Sequence, residues 1–360
     1  MSLRVLCVTP MYPEVHNPAF GCFVQALNQA LERQGLTVDV VRRGDGERGV
    51  LSYVGLLWRA LARGLRGPAP DVVHGHYLGP AAAIAVLVAW LRRRPVVLTA
   101  HGSDVEAAQS PPLRDAMALL LRSCDGLHLV SRALEARALE LVGELPRHRL
   151  ARGIGVDGRR FTPAPLRAVG RPARLLMVAR LVPEKGWLEA LAALALLGRE
   201  GHEAVLLACG DGNRSWLERA AAAEGVRERV ELLGFRHPDA LPALYRDADV
   251  VLVPSRREGF GLVGLEAMAA GTPVVSTGAG GLGDYMRDDV NALVVPLENP
   301  GALAAAVVRL LGDEALRHRL REEGFATAAR YDVAATAAAL ARFYVEAGAR
   351  SSATRGETRP

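Results

Sequence analysis

Short apolar runs alternate with longer amphipathic stretches along most of the chain, and this alternation constrains the fold more than any other feature. Each run, beginning with Arg4–Thr9, has the length of a buried strand, and the stretch after it has helical periodicity. Strands that alternate with helices form parallel sheets covered by helices on both faces. Because 360 residues exceed what one hydrophobic core usually serves, the sequence predicts an α/β protein with two Rossmann-like, doubly wound domains.

A proline-marked stretch without periodicity follows Asp157 and separates two series of elements. In the first series we predict the helices Phe23–Gln34 and Leu78–Leu91 and five strands: Arg4–Thr9, Thr37–Arg42, Asp71–His76, Pro95–His101 and Leu127–Ser131. In the second series we predict the strands Leu175–Ala179, Val205–Cys209, Val230–Gly234 and Val250–Pro254. Its predicted helices are Gly186–Glu200, Ser215–Glu224, Leu241–Asp247 and Val263–Ala270.

These series give the predicted domain limits. Residues 1–165 form an N-terminal acceptor domain and residues 166–332 a C-terminal donor domain. A last alanine-rich helix, 333–348, is expected to pack back towards the N-terminal domain. The polar residues 349–360 are expected to be a disordered tail.

Cysteine usage and hydropathy predict a cytoplasmic protein. The four cysteines lack the paired spacing of a zinc site or a disulfide framework. The N-terminus lacks the features of a signal peptide, and no apolar stretch reaches the roughly 18 residues needed to cross a bilayer.

Charge is unevenly distributed between the two halves. Residues 1–165 carry a net charge of +6, whereas the remainder carries −1. A basic half suits an anionic acceptor or an anionic membrane surface. No nucleic-acid partner is expected, because the basic residues are not interleaved with aromatic ones.

The stretch Leu56–Arg66 raises the question of membrane contact. On a helix, Leu57, Leu61 and Leu65 form one stripe, and Arg59, Arg63 and Arg66 lie on another. Packing of the leucine stripe on the sheet is the favoured interpretation. Peripheral contact of the arginines with anionic lipid at the inner face of the membrane is compatible with it.

The loop after the first strand of the second domain carries an unusual pair of cations. Lys185 is the only lysine in the chain, and the other 43 basic residues are arginines. Ligands of open parallel sheets bind beyond the carboxyl ends of the strands, and lysine is a compact, flexible point charge. Together with Arg180, Lys185 predicts a clamp for a diphosphate leaving group. The alternative is a solvated pair at a helix start.

A glycine-rich turn with two carboxylates follows the predicted strand Val250–Pro254. It reads Glu258-Gly259-Phe260-Gly261-Leu262 and continues into a helix that contains Glu266. Glycines let the backbone approach a ligand, and the amides at a helix start favour an anion. The turn therefore predicts a site for phosphate and sugar hydroxyls. Taken singly, Glu266 could complement the helix dipole and Glu258 could be a loop charge.

The acids Glu258 and Glu266, with seven residues between them, and the Arg180–Lys185 pair resemble the signature of glycosyltransferase family 4. Within that family, Met11-Tyr12-Pro13, Asn17-Pro18 and Gly21-Cys22-Phe23-Val24 resemble bacterial surface-polysaccharide enzymes of the teichuronic acid type. Further matches are Ala100-His101-Gly102-Ser103-Asp104, which resembles the family's histidine loop, Gly153–Phe161 and Cys209-Gly210-Asp211-Gly212.

The resemblance implies a GT-B fold, with two Rossmann-like domains facing across a cleft and the donor held by the C-terminal domain. It implies that Arg180 and Lys185 neutralise the diphosphate and that Glu266 binds the ribose hydroxyls. Glu258 would hold the sugar near its reacting carbon, and His101 would lie at the sugar, in contact through either its side chain or its backbone carbonyl.

The same resemblance assigns further donor-binding residues. Gly21 would let the first N-terminal loop close over the phosphates, and Phe235 and Arg236 would border the nucleobase. Gly210 and the turn Gly259, Phe260, Gly261 and Leu262 complete the set. The sequence departs from the family pattern at Gly280-Gly281-Leu282-Gly283-Asp284, where Asp284 stands in place of a frequent glutamate.

A metal ion is not expected. The string Asp247-Ala248-Asp249 resembles the Asp-x-Asp pair of metal-dependent transferases, but it precedes a strand and so lies at the amino end of the sheet. We interpret it as a local cap. No cofactor is predicted, because the nucleotide sugar is a co-substrate. The histidines His74, His76, His128, His202 and His237 are expected to be structural or solvated.

These features predict a retaining hexosyltransferase that moves sugar from a nucleotide diphosphate to an acceptor hydroxyl without an enzymic nucleophile. A lipid-linked or cell-surface saccharide precursor is the preferred acceptor, and a small soluble acceptor is the alternative. A nucleotide-sugar epimerase, a pyridoxal-phosphate phosphorylase using Lys185 and a non-catalytic sugar-binding protein remain rival functions. An NAD-dependent oxidoreductase is disfavoured, because Met11–Gly21 lacks a G-x-G-x-x-G turn.

Overall fold

The two series of strands form two separate parallel sheets in a computed structural model that describes residues 2–163, 165 and 168–357, with backbone alone for 352–357. The chain divides into two compact units. The first contains the chain up to Gly155 together with the segment from Val333 onwards, and the second spans Val156–Asp332. Within the described ranges, no helix combines the length and apolar character that crossing a membrane requires.

The first unit is built on six parallel strands in the order β2-β1-β3-β4-β5-β6. Its strands are β1 (Arg4–Thr9), β2 (Thr37–Arg42), β3 (Val72–His76), β4 (Val96–Ala100), β5 (Gly126–Leu129) and β6 (Arg149–Ala151). Its helices before the last are α1 (Cys22–Arg33), α2 (Leu51–Arg66), α3 (Pro80–Arg92), α4 (Ser103–Ala107), α5 (Pro111–Arg122) and α6 (Arg132–Val142). Every residue of β3 and β4 is buried, as in a sheet covered on both faces.

Helix α2 packs through a different stripe from the one predicted. Its buried residues are Ser52, Leu56, Ala60 and Gly64, one position before the leucine stripe, and Leu65 is exposed. The small residues determine which face of α2 packs, because a Cβ at Gly64 would overlap Val88 of α3. Two of the arginines considered for lipid contact are in ion pairs: Arg59 with Glu47 at 2.7 Å and Arg63 with Asp39 at 2.6 Å.

The last helix, α13 (Val333–Glu357), belongs to the first unit. Tyr344 and Phe343 are buried, and the Phe343 ring stacks on His148 with 4.1 Å between ring centroids. The prediction of a disordered tail from residue 349 is wrong as far as Glu357. No proline interrupts the helical turns there, and alanine, arginine and glutamate are good helix formers. Residues 358–360 of that predicted tail lie outside the described residues.

A series of four hydrogen bonds, in which each group donates to the next, crosses the first unit. It begins at Tyr344, whose Oη lies 2.7 Å from His74 Nδ1, and continues from His74 Nε2 to Thr99 Oγ1 at 2.6 Å. Thr99 Oγ1 lies 3.1 Å from His128 Nδ1, and His128 Nε2 lies 2.7 Å from the Arg152 carbonyl oxygen. A carbonyl only accepts, so His128 donates from Nε2 and accepts from Thr99 at Nδ1. By the same reasoning His74 donates to Thr99 and accepts from Tyr344. Both histidines are satisfied in their neutral form, as expected of structural residues.

Removing the Tyr344 hydroxyl should therefore destabilise the first unit. In Tyr344→Phe the buried Nδ1 of His74 loses its donor, which should lower the free energy of unfolding by about 1–3 kcal/mol. Urea unfolding followed by circular dichroism measures the change. Tyr53→Phe is the matched control, since the Tyr53 hydroxyl makes no hydrogen bond to any described residue. Equal stability of the two variants would contradict the assignment of Tyr344 as the hydrogen-bond donor to His74.

The second unit also has six parallel strands, in the order β12-β11-β10-β7-β8-β9. Its strands are β7 (Ala173–Val178), β8 (Ala204–Cys209), β9 (Val230–Gly234), β10 (Val250–Val253), β11 (Val274–Ser276) and β12 (Leu293–Val294). Its helices are α7 (Trp187–Arg199), α8 (Arg214–Ala223), α9 (Leu241–Asp247), α10 (Leu262–Ala270), α11 (Pro300–Gly312) and α12 (Glu314–Arg330). Short 3₁₀ helices include Pro183–Lys185 and Gly280–Asp284.

The division between the units falls after Gly155, whereas the sequence places the boundary after residue 165. Val156 donates its backbone N–H to the Tyr331 carbonyl, and residues 156 and 332 form a parallel bridge. This pairing attaches the segment after Gly155 to the second unit. Within the predicted linker, Ala164, Leu166 and Arg167 lie outside the described residues.

Candidate active site

The loops at the carboxyl ends of the second sheet are locked together by glycines. Gly186, which follows Lys185, has a positive φ of 80°, and a Cβ there would overlap the carbonyl oxygen of Pro254. The loop after β7 thus lies directly on the end of β10. The two loops that carry the predicted cations and carboxylates are brought together by backbone contact.

Lys185 and Glu258 form the centre of this arrangement. Lys185 Nζ donates to Glu258 Oε1 at 2.6 Å, and Ser255 Oγ donates to the same oxygen at 2.9 Å. The lysine and glutamate side chains are 20% and 16% exposed. Both donors use one carboxylate oxygen, so Glu258 Oε2 keeps its acceptor capacity for a ligand.

Arg180 is exposed on the loop after β7. Its carbonyl accepts a hydrogen bond of 2.9 Å from Nε1 of the fully buried Trp187, which fixes the backbone of the loop. Among the residues that the structure describes, its guanidinium has no hydrogen-bond or ion-pair partner. Arg180 therefore carries an uncompensated positive charge next to Leu181, which pairs with the loop after β8.

The glycine turn after β10 is held from the β11 side. Gly281 donates its N–H to the Glu258 carbonyl at 3.0 Å, and Cβ atoms at Gly280 and Gly281 would overlap the carbonyls of Glu258 and Gly259. Phe260 is 4% exposed and packs on Tyr285 and Tyr331. Any ligand contact of Phe260 would thus use its backbone.

Helix α10 begins directly after this turn. Its N-cap is Gly261, with φ of 86° and no side-chain cap. The first N–H groups of a helix have no partner within the helix and attract anions. The start of α10, including Leu262, therefore offers donors next to Glu258.

Glu266 lies in the second turn of α10 and is partly buried. Tyr245 Oη donates to Glu266 Oε2 at 2.7 Å, and burial raises the pKa of Glu266 while the Tyr245 hydrogen bond lowers it. No other hydrogen bond to Glu266 occurs within the described part of the chain, so Oε1 is available to a hydroxyl ligand.

The remaining predicted donor residues lie on the loops after β8 and β9. Gly210 donates its N–H to the Gly234 carbonyl at 3.0 Å, and a Cβ there would overlap the Ala179 carbonyl. Phe235 is 42% exposed, and Arg236 is also exposed. Gly210 thus has a packing role, whereas Phe235 and Arg236 present side chains to solvent.

The Asp-x-Asp string lies at the opposite end of the sheet. Asp249 Oδ2 accepts from the backbone N–H of Arg174 at 2.7 Å, at the start of β7. This carboxylate caps the amino end of a strand, as interpreted from the sequence.

In the first unit, His101 follows β4, and Gly21 caps α1. A Cβ at Gly21, whose φ is 70°, would overlap the backbone of Met11. The partly buried carboxylate of Asp104 accepts N–H bonds from His101 at 3.1 Å and from Leu78 at 2.8 Å, joining the loops after β3 and β4. The His101 ring stacks on Tyr77, with 4.4 Å between centroids.

Sequence reasoning missed three residues that shape these loops. Ser255 and Tyr245 each hold one oxygen of a predicted carboxylate, and Asp104 orders the histidine loop. Asp104 lies inside the histidine-loop motif and Ser255 comes three residues before Glu258, so both could have been singled out from the sequence. Tyr245 lies 21 residues before its partner, and no local pattern signals the contact.

Comparison with known proteins agrees with this geometry. The model for glycosyl transferases group 1 matches residues 159–327, and the model for the glycosyl transferase 4-like domain matches residues 3–153. Glycogen synthase of Mycobacterium tuberculosis is 34% identical over 302 residues, which cover 81% of this chain and 71% of that protein. The chain belongs to the group 1 glycosyltransferase family. It is therefore a glycosyltransferase, as predicted.

Other relatives and solved structures fit the same family. D-inositol 3-phosphate glycosyltransferase of Corynebacterium glutamicum is 30% identical over 318 residues, 80% of this chain and 75% of that protein. Sucrose-phosphate synthase from Thermosynechococcus elongatus superposes with a TM-score of 0.81 at 22% identity, covering 97% of this chain and 100% of that one. Anabaena HepE, solved with UDP and glucose, gives 0.77 at 20% identity, with 95% and 99% covered.

The predicted fold class, two Rossmann-like domains of the GT-B type, is confirmed. The finer resemblance to teichuronic acid enzymes stays a prediction, because the relatives described above are glycogen synthase and inositol phosphate glycosyltransferases.

The contact between Gly186 and Pro254 can be tested with two matched glycines. Gly201 has nearly the same φ, 82°, but a Cβ there would meet nothing within 4 Å. Gly201→Ala should cost about 1–2 kcal/mol of unfolding free energy from backbone strain alone. Gly186→Ala should cost clearly more, because the methyl group also overlaps a carbonyl. Urea unfolding compares the two, and equal losses would show that the close approach does not constrain the loop.

Proposed function

We propose that the chain transfers a hexose from a nucleotide-diphosphate sugar to an acceptor hydroxyl with retention of anomeric configuration and without a metal ion. The observation that carries the proposal is the grouping of Arg180, Lys185, Glu258 and the uncapped start of α10 at one edge of the second sheet. The grouping provides positive charge for a diphosphate beside a carboxylate for a sugar.

In this proposal the second unit works by electrostatics. As the bond between the anomeric carbon and the phosphate oxygen breaks, negative charge develops on the diphosphate. Lys185, held by Glu258, and the α10 amides stabilise that charge from fixed positions, and Arg180 adds an exposed positive charge. The acceptor oxygen forms its bond on the face from which the diphosphate leaves, and its proton passes to the leaving phosphate. No protein nucleophile is needed.

The carboxylates would orient the donor. Glu258 Oε2 accepts from sugar hydroxyls, and His101 stays a predicted sugar contact. Glu266 Oε1 accepts from the ribose, while Phe235 and Arg236 border the base. The UDP bound to HepE supports a uridine nucleotide as the first donor to test.

For the acceptor we propose a lipid-linked or cell-surface saccharide precursor. The basic first half of the chain suits an anionic acceptor, and a relative named glycogen synthase supports a saccharide. A small soluble acceptor is the second candidate, supported by relatives named D-inositol 3-phosphate glycosyltransferase.

UDP-, GDP- and ADP-sugars tested in EDTA should identify one nucleotide series that raises the melting temperature and is turned over. Arg180→Ala and Lys185→Ala should each lower kcat by about 10²-fold or more, because the negative charge on the leaving group loses a positive partner. Arg199→Ala, at the far end of α7, is the control and should keep its rate.

Undiminished turnover in both variants would refute the diphosphate clamp. Release of an epimerised donor without any acceptor would identify the epimerase instead. The anomeric configuration of the product, read by proton NMR, tests retention. Activity that appears only when a divalent ion is added would refute the metal-free mechanism.

We further propose peripheral contact of the first unit with an anionic membrane. The outer face of α2 exposes Leu51, Val54, Trp58 and Leu65, with Trp58 67% exposed, and Trp90 of the adjacent α3 is 73% exposed. We call these five residues the apolar face. Tryptophans suit the membrane interface, and Arg66, exposed beside them and without an ion-pair partner among the described residues, would meet the lipid charge.

Flotation with phosphatidylglycerol vesicles tests this contact. The wild-type protein should float, and Trp58→Ser with Trp90→Ser should abolish flotation because two interfacial anchors are lost. Leu113→Ser with Leu119→Ser, which also removes exposed side chains from the first unit, should float normally. A wild-type protein that stays with the soluble fraction would refute the membrane proposal.

A further inference from the structure

Ion pairs of opposite polarity join the same two segments of the second unit. Lys185, on the loop after β7, pairs with Glu258 of the glycine turn, with 2.6 Å between Nζ and Oε1. In the first turn of α7, which follows the same loop, the charges are reversed. There Glu189 Oε1 accepts from Arg256 Nη2 at 2.6 Å and from Arg256 Nε at 3.2 Å. Each segment therefore carries one positive and one negative side chain that face the other segment.

The two members of the reversed pair differ in burial. The Glu189 side chain is 8% exposed, and its Oε2 is buried without a hydrogen-bond partner in the structure as described. The Arg256 side chain is 38% exposed, and its Nη1 lies 3.1 Å from Oε1 of the exposed Glu298. A buried charge that loses its partner is costly, whereas an exposed one can be solvated. Glu189 therefore depends on Arg256 more than Arg256 depends on Glu189.

Arg256 also lies close along the chain to the carboxylate of the candidate donor site. It comes two residues before Glu258, and two residues span at most about 7 Å, which an arginine side chain can cover. A guanidinium engages a carboxylate through two parallel N–H bonds, so a released Arg256 could occupy both oxygens of Glu258. The pair with Glu298 competes weakly, because ion pairs in solvent contribute little, whereas the Glu258 side chain is only 16% exposed.

We propose that Glu189 is a positioning residue, which holds the Arg256 guanidinium on α7 and away from Glu258. Glu258 can then pair with Lys185 through Oε1 alone and keep Oε2 for a ligand. The backbone of the segment is held separately, since Arg256 donates its N–H to the Glu184 carbonyl at 2.9 Å. Glu189 thus acts on the side chain of Arg256. That the ligand of Oε2 is a sugar rests on the proposed function, whereas the separation of the two ion pairs does not.

The single lysine makes the pairing observable without any ligand. Carbon NMR of protein labelled at lysine Cε reports on Lys185 alone, because the chain has no other lysine. Glu189→Ala should shift this signal, since Arg256 then competes with Lys185 for Glu258. The double variant Glu189→Ala with Arg256→Ala removes the competitor and should return the signal towards its wild-type position. An unshifted signal in folded Glu189→Ala, or a shift that persists in the double variant, would overturn the proposal.

Donor affinity and stability should respond in opposite orders in the two single variants. Glu189→Ala should raise the KM for the donor about tenfold, because the charged acceptor Oε2 of Glu258 is lost to the sugar. Arg256→Ala should leave that KM unchanged but lower the melting temperature by about 5 °C or more, because the buried Glu189 carboxylate loses its partner. The double variant should recover the wild-type KM. An ion pair with a structural role alone would give the same defect in both single variants and no recovery.

Glu298→Ala is the matched control. It removes the exposed acid beside Arg256 and leaves Glu189 in place, so its KM and its Lys185 signal should match those of the wild type. A rise in KM equal to that of Glu189→Ala would overturn the assignment to Glu189. If Arg256→Ala does not fold, Arg256→Gln keeps an N–H donor for Glu189 without a guanidinium and replaces it in both experiments.

The outcomes separate this proposal from the proposed function. The expected Lys185 signals together with no turnover of any donor would refute the proposed donor chemistry and support the separation of the two ion pairs. Normal turnover with an unchanged KM in folded Glu189→Ala would overturn the positioning role and leave the transferase intact.

Discussion

The candidate donor site depends on backbone contacts that only glycine permits. A Cβ at Gly186, Gly210, Gly280 or Gly281 would overlap a carbonyl group of a neighbouring loop. The loops after β7, β8, β10 and β11 are thereby tied to one another at the carboxyl end of the second sheet. Charged side chains can then be held with little freedom, which electrostatic stabilisation of a leaving group requires. The glycines thus act indirectly, through the positions of Lys185 and Glu258.

The two units differ in the charge of the side chains at the ends of their sheets. In the second unit, charges are retained near the surface, with Lys185 and Glu258 partly exposed and Arg180 without an ion-pair partner among the described residues. In the first unit, four imidazoles are packed together, and burial lowers the pKa of each. Neutral rings close together avoid the repulsion that four cations would suffer, and each can serve as both donor and acceptor. A charged site suits a diphosphate, and a neutral one suits hydroxyls.

Sequence patterns predicted the strands well because buried parallel strands are continuous apolar runs. The bounds of β1, β2 and β9 match the predicted ranges. The hydrophobic pattern did not predict α12, because this helix buries Arg317, Gly324 and Thr327. Its buried face is therefore not marked by a stripe of apolar residues. For the site, motifs located Lys185, Glu258 and Glu266, but contacts between distant residues, such as His76 with His101, depend on which strands are neighbours. Strand order is a property of the whole sheet and is not encoded in any short segment.

The geometry around Glu258 also gives a physical reason for the single lysine. Nζ of Lys185 is a point donor, and it shares Glu258 Oε1 with the Ser255 hydroxyl. An arginine at this position would tend to engage both carboxylate oxygens through its planar fork. Glu258 Oε2 would then be occupied and could not accept from a sugar. A chain that otherwise uses arginine for its positive charge thus has a lysine at the position where, in the proposed function, one carboxylate oxygen accepts from the sugar.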